Sequence, residues 1–155
     1  MAYEAVIERV AAQPMAAVGA KASQPQLSRV IPTALDAVYA ALRTGDYGAL
    51  GHNVVLYENW VDGAMDLHIG VRLERPFPGV GKVIAAETPA GEAVHVVYFG
   101  EYSQMQPAHK AAQESARAQG RKLTGVSWEV YGDFTSDMSK LRTDIYYQVA
   151  DQADG

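Results

Sequence analysis

Apolar and polar positions along this chain fall into two rhythms, and the rhythms come in the same order twice. Residues 3–10 and 15–22 alternate as short strands broken at Gln13-Pro14. Leu27, Val30, Ile31, Ala34, Leu35, Val38, Tyr39 and Leu42 then recur at the i, i+3, i+4, i+7 spacing of an amphipathic helix. Ser23 or Ser28 is placed to cap it, Pro32 lies near its first turn, and Gly45 stops it. Two extended runs follow, 53–60 and 65–73, joined across Asp62-Gly63. That pair predicts a hairpin, because a type I′ turn needs positive φ at both central residues. Pro76, Pro78 and Gly79 mark a connector.

The second half repeats this order. A strand over 82–87 turns through Thr88-Pro89-Ala90-Gly91 into a strand over 92–99. A helix is predicted over 102–119, ended by Gly120, and strands over 123–131 and 142–149 complete the set. Leu27, Val30, Pro32 and Gly45 match Tyr102, Met105, Pro107 and Gly120, Tyr57 matches Tyr131, and Asp66-Leu67-His68 matches Asp144-Ile145-Tyr146. The shared order predicts an α+β fold of two strand-helix-strand-strand repeats, about 3–75 and about 80–150, related by a pseudo-twofold axis. The antiparallel sheet would form a central groove, with the helices on its other face. The whole chain, 1–155, reads as a single domain.

Each helix needs an apolar sheet face. Val54 and Leu56 suit it in the first half, and Val126, Trp128 and Val130 in the second. Parity then sends Tyr57, Asn59, Ser127, Glu129 and Tyr131 to the opposite face. On the last strand Ile145, Tyr147 and Val149 form the apolar set, leaving Asp144, Tyr146 and Gln148 for that opposite face. The expected result is an aromatic box of Tyr57, Glu129, Tyr131, Asp144 and Tyr146. A carboxylate on such a half-buried face costs free energy unless something compensates it, and a cationic guest is one such compensation. Tyrosine faces attract a desolvated cation by about 2 kcal/mol. The plainer alternative is a tyrosine-rich strand serving only as sheet surface.

Composition narrows the chemistry. There is no cysteine, so disulfides, thiolate metal sites and a cysteine nucleophile are excluded. A net charge of −5 argues against a nucleic-acid surface, which needs a basic stripe. No apolar run is long enough to span a membrane, and Met1-Ala2-Tyr3-Glu4 has no basic region ahead of an apolar one, so a cytoplasmic protein is expected. His52, His68, His95 and His109 lack close ligand spacing, so no metal site and no cofactor is expected; the strand histidines His68 and His95 read as satisfied core or surface residues. Neither Gly79-Val80-Gly81 nor the glycines around Tyr47 is followed by Gly-Lys-Ser/Thr, and Ser127 lacks the Gly-x-Ser-x-Gly setting.

Gly100-Glu101-Tyr102, Ser127-Trp128-Glu129-Val130-Tyr131 and Lys140-Leu141-Arg142-Thr143-Asp144-Ile145-Tyr146 resemble the motifs of the GyrI-like small-molecule-binding domain, the effector-binding module of bacterial multidrug-responsive regulators. The resemblance runs from about Tyr3 to Val149 and is strongest in the second half. It implies a groove for lipophilic, often cationic compounds, with the family's buried glutamate at Glu129, its aromatic partner at Tyr131, its last-strand acid and tyrosine at Asp144 and Tyr146, and its first-repeat tyrosine at Tyr57. Trp60, Tyr102 and Trp128 complete the candidate ligand-binding set, Trp60 as a groove rim or a hairpin partner and Trp128 as core with an edge that sheet twist would expose. Two departures stand out. Asp137-Met138 replaces a frequent Asp-Pro, and Asp144 is a short acid for its place. Strand-like sequence starts at about residue 3 with no helix-turn-helix ahead of it, so a stand-alone module is expected.

Three functions follow as expectations. The first is binding of lipophilic or cationic aromatic molecules, with no nucleic acid or membrane partner. The second is hydrolysis of strained electrophilic rings, with Glu129 as the catalytic residue; burial should raise its pKa into the range useful for acid/base work. The third is inhibition of a protein partner such as a DNA topoisomerase.

Overall fold

The structure, a computed structural model, describes residues 3–151, apart from the side chains of Trp60 and Val61. Its strands are β1 (Ala5–Val10), β2 (Pro14–Ser23), β3 (Leu50–Val61), β4 (Ala64–Leu73), β5 (Ile84–Glu87), β6 (Gly91–Phe99), β7 (Leu123–Tyr131) and β8 (Arg142–Val149), and its helices are α1 (Leu27–Leu42) and α2 (Gln106–Ala118). The chain divides into two compact units, Ala12–Thr88 and the remainder.

In the unit formed by Ala12–Thr88 the strands run β3-β4-β2-β5, all antiparallel. Asp62 and Gly63 carry φ of 52° and 77°, so the predicted β3–β4 turn forms as the Asp-Gly pair requires. Helix α1 packs Val38, Ala41 and Leu42 against Ala16, Val71 and Leu73. Gly70 lies where β2 comes closest: a Cβ there would fall 1.8 Å from the Ala16 carbonyl oxygen. Thr88 closes the unit by accepting from the Gln13 amide at 2.9 Å and donating its own amide to the Gln13 carbonyl.

The other unit has the order β1-β6-β8-β7, again antiparallel. Helix α2 presents Ala108, Ala112 and Ala116, which are four residues apart and too short to hold the helix away from the strands. They pack with Met105 on Val94, Val96, Tyr98, Ile145 and Val149. Burying each of those three valines and Ile145 is worth roughly 1.5–3 kcal/mol. The helix expected over 102–119 is split: Tyr102–Gln104 form a 3-10 turn, and α2 begins afterwards with Pro107 in its first turn. Gly120 ends it at φ 70°. Asp137, at the position of the missing Asp-Pro, accepts from the Ser139 amide and caps the turn Met138–Lys140 that leads into β8.

Repetition in the sequence did not give one feature. β1 pairs with β6 and β5 pairs with β2, so each unit takes its short outer strand from the other repeat. Among the described residues no helix is long and apolar enough to cross a membrane, and no group of metal-ligating side chains is assembled.

Candidate functional site

Register on β7 reverses one expectation. Glu129 pairs with Ile145 and Tyr131 with Thr143, whereas Trp128 pairs with Tyr146 and Val130 with Asp144. Directly paired residues share a face. Glu129 and Tyr131 therefore lie on the α2 side with Ile145 and Tyr147, and Trp128 and Val130 lie on the face of Asp144 and Tyr146. The first repeat has the same inversion: Tyr57 pairs with Leu67 and Val55 with Ile69, on the α1 side, while Val54 and Leu56 share the face of His68. The parity prediction failed because both faces of these strands are apolar and buried. Val54, Leu56, Trp128 and Val130 are no more than 6% exposed although they point away from the helices. Asp144, Tyr146 and Gln148 are placed as expected. The five-residue box is thus divided: Glu129 and Tyr131 stand on one face of their unit, Asp144 and Tyr146 on the other, and Tyr57 belongs to the other unit. The Trp60 side chain lies outside the described residues.

On the helix side, α2 brings His109 to Glu129. His109 Nε2 is 2.8 Å from Glu129 Oε2, and the Tyr131 hydroxyl donates to Glu129 Oε1 at 2.6 Å. The second imidazole nitrogen, Nδ1, is 2.7 Å from the Tyr147 hydroxyl, which also accepts from Gln113 Nε2 at 3.3 Å. Glu129 is 3% exposed. An ionised carboxylate only accepts, so Nε2 carries the proton and donates. Burial raises the Tyr147 pKa, keeping the phenol protonated. Tyr147 can therefore donate to Nδ1 while accepting from Gln113. One N–H on His109 suffices for these two contacts, and Tyr102 packs edge-on to Tyr131 at 5.4 Å.

The opposite face carries a ladder. His95, Tyr146 and Trp128 are successive cross-strand neighbours on β6, β8 and β7. Their rings stack at the spacing of the strands, which is about 4.8 Å. His95 and Tyr146 are 4.3 Å apart and Tyr146 and Trp128 5.0 Å, each pair tilted by 7°. His95 Nδ1 is 2.9 Å from Glu8 Oε1, and Nε2 is 2.7 Å from Asp144 Oδ1. Arg142 donates to both Asp144 oxygens, at 3.1 and 3.0 Å. Hydrogen bonding to Asp144 raises the His95 pKa, against the lowering effect of burial and with the help of the Asp144 and Glu8 charges. Burial pushes Asp144 upward, but hydrogen bonds from His95 and Arg142 outweigh it and leave the carboxyl below its ordinary value. The short aspartate thus reaches the aromatic row. Val6 and Phe99, 44% and 56% exposed, flank the ladder on the same face.

Neither His95 nor His109 was found by ligand spacing. Each did leave a mark in the sequence: His95 interrupts the apolar alternation of β6, and His109 falls on the stripe of Met105, Ala108, Ala112 and Ala116. A third histidine, His68, pairs with Glu58 at 3.1 Å in the other unit. A shallow groove of about 570 Å³ between β1 and α2, lined by Tyr3, Ala5, Pro107 and Ala111 among others, contains none of these groups.

No protein-family model matches the sequence, and no curated protein matches it. Solved structures do match the fold. The crystal structure of the EcmrR C-terminal domain superposes with a TM-score of 0.79 at 18% identity, over 97% of this chain and 99% of that one. This chain has the GyrI-like fold. SAV2435, solved bound to tetraphenylphosphonium, gives a TM-score of 0.66 at 16% identity over 97% and 94% of the two chains. A hydrolase from Listeria innocua gives 0.62 at 12% identity over 95% and 92%. At these identities the likeness establishes how this GyrI-like chain folds, and what it does must be argued from its own residues.

Proposed function

We propose that this GyrI-like protein is a small-molecule-binding module of the multidrug type, working in the bacterial cytoplasm, and that its guests are lipophilic aromatic compounds, cations among them. The Trp128–Tyr146–His95 ladder receives them, with Asp144 as counter-charge and Val6 and Phe99 as apolar rim. One observation carries the reading. The ladder already holds a flat nitrogenous ring 4.3 Å from Tyr146, with a carboxylate oxygen 2.7 Å from its nitrogen. Those are the contacts an aromatic cation seeks, worth about 2 kcal/mol when desolvated. The lipophilic cation bound by SAV2435, a protein of the same fold, supports the choice of guest. In this reading Glu129, Tyr131 and Tyr102 fasten β7 to α2, behind the ladder.

Titrating tetraphenylphosphonium and neutral triphenylphosphine oxide against tryptophan fluorescence tests this. At about pH 9, where histidine is ordinarily neutral, the cation should bind more tightly, and Asp144→Asn and Tyr146→Leu should each weaken it by roughly tenfold or more, the effect of losing about 1.4 kcal/mol. Equal binding of cation and neutral compound by the native protein and by Asp144→Asn would refute the charge argument.

A second reading is favoured by the Tyr147–His109–Glu129–Tyr131 chain. A buried carboxylate held between an imidazole and a phenol has the makings of a general base, and a hydrolase shares the fold. Turnover of a strained electrophilic ring that Glu129→Gln abolishes, with His109→Gln impaired, would establish it.

A further inference from the structure

His95 and His109 both contact a carboxylate, but their second partners differ in kind. His109 meets a phenol on its other nitrogen, so a neutral ring suffices there. His95 meets a carboxylate on each side, Glu8 from β1 and Asp144 from β8. A neutral imidazole has one N–H, and its other nitrogen would then turn a lone pair toward an anionic oxygen. Only the imidazolium carries a proton on both nitrogens, hydrogen-bonded to Asp144 on one side and ion-paired with Glu8 on the other. The ring stacked on Tyr146 is therefore the ladder's own organic cation.

The charges around it close. Among the contacts described, Glu8 and Asp144 are matched by His95 and by Arg142, which is bonded to Asp144, and the rings of Tyr146 and Trp128 and the Val6 side of β1 lie beside them. Tyr146 lies between His95 on one side and Trp128 on the other, because β8 runs between β6 and β7. An added cation would find no uncompensated carboxylate and would meet a resident positive charge. Loss of the His95 proton to solvent leaves the cluster with one net negative charge, which an incoming cation can replace.

We propose that His95 is the specificity-determining residue of the ladder: its proton and a cationic guest exclude one another, so the protonated protein selects neutral aromatic compounds and the deprotonated protein accepts cations. This rests on the binding function proposed above. Both proteins needed to test it, the intact native chain and His95→Gln, are titrated calorimetrically with tetraphenylphosphonium and with triphenylphosphine oxide from about pH 5.5 to about pH 9, across the range in which histidine titrates. Below the His95 pKa the native affinity for the cation should rise about tenfold per pH unit, with one proton released per cation bound, as linkage requires. The neutral compound should show no such slope, and His95→Gln should bind the cation with little dependence on pH. Cation binding by the native protein that is independent of pH, or a slope that persists in His95→Gln, overturns the inference and leaves the binding function standing. If neither compound binds at any pH, both are overturned. A ring-proton NMR titration supplies a readout without ligand: His95 should be an imidazolium at neutral pH, and a neutral ring there refutes the inference.

Discussion

Replacing His109 with leucine should be costly out of proportion to the volume changed. The leucine fills most of the space, but two hydrogen bonds disappear, one to Glu129 at 2.8 Å and one to the Tyr147 hydroxyl at 2.7 Å. The Glu129 side chain is 4% exposed, so solvent cannot take the imidazole's place without opening the helix–sheet interface. Losing a hydrogen bond to a buried charged group costs about 2–3 kcal/mol, and losing the neutral one, partly offset by Gln113, about 1 kcal/mol. The expected loss is about 3–4 kcal/mol, or roughly 10 °C in Tm for a chain of this size. Urea unfolding followed by tryptophan fluorescence measures it, and a double-mutant cycle with Glu129→Leu assigns it. Once the carboxylate is gone, His109→Leu should cost at least about 1.5 kcal/mol less. A loss under about 1 kcal/mol, or two mutations that add to within about 0.5 kcal/mol, would refute the reasoning, because independent sites are the ones that add.

The Glu8–His95–Asp144 cluster ties stability to pH in two directions. The raised His95 pKa contributes stability that is complete below the ordinary histidine value of about 6.5 and is lost as pH rises through the folded value. The lowered Asp144 pKa contributes stability that is present above the ordinary aspartate value of 3.8 and is lost as pH falls through the folded value. The stability difference between the native protein and His95→Gln should therefore shrink on the alkaline side, and a difference that grows with pH there would contradict the assignment. Gly70→Ala should lower stability by about 3 kcal/mol or prevent folding, since the added methyl meets the Ala16 carbonyl; unchanged thermal unfolding would show that β2 can move aside. Gly63→Ala meets no neighbour but keeps φ at 77°, so its cost should be about 1 kcal/mol, the strain of a left-handed residue, and a neutral result would mean the turn changes type.

Much of the fold was legible because its signals are local. The α1 stripe, the Asp62-Gly63 turn, the Gly120 stop and the β7 and β8 boundaries each depend on nearby residues, and each appears where its pattern places it. Strand exchange was not legible, since nothing in Ala5–Val10 says that Val94 and Val96 are its neighbours. Sidedness failed for a different reason. Alternation identifies a face only when the other face is wet, and β7 buries Trp128 and Val130 on one side and Glu129 on the other. Hydrophobicity then votes for the wrong set, because the residue that belongs beneath the helix is charged. The candidate residues were named in the sequence but grouped wrongly, and the two histidines that regroup them stayed hidden in a strand and a helix with no ligand spacing to reveal them.

That regrouping changes what the acidic residues mean. Glu129 and Asp144 invited a cationic guest so long as they were unpaired carboxylates among tyrosines. Each turns out to have a histidine of its own, and the second partner of each histidine sets them apart. His109 pairs a carboxylate with a phenol, so one N–H serves both contacts, which fits the helix-side chain to hold β7 in place or to pass a proton. His95 pairs two carboxylates and needs its charge, which makes the ladder a cation site with the cation built in. A guest at the first must disrupt a fully satisfied buried network, whereas a guest at the second has only a proton to displace from a ring beside exposed Val6 and Phe99. The lower cost of that exchange is the physical reason to look for ligands on the face away from α2, and to look for them as a function of pH.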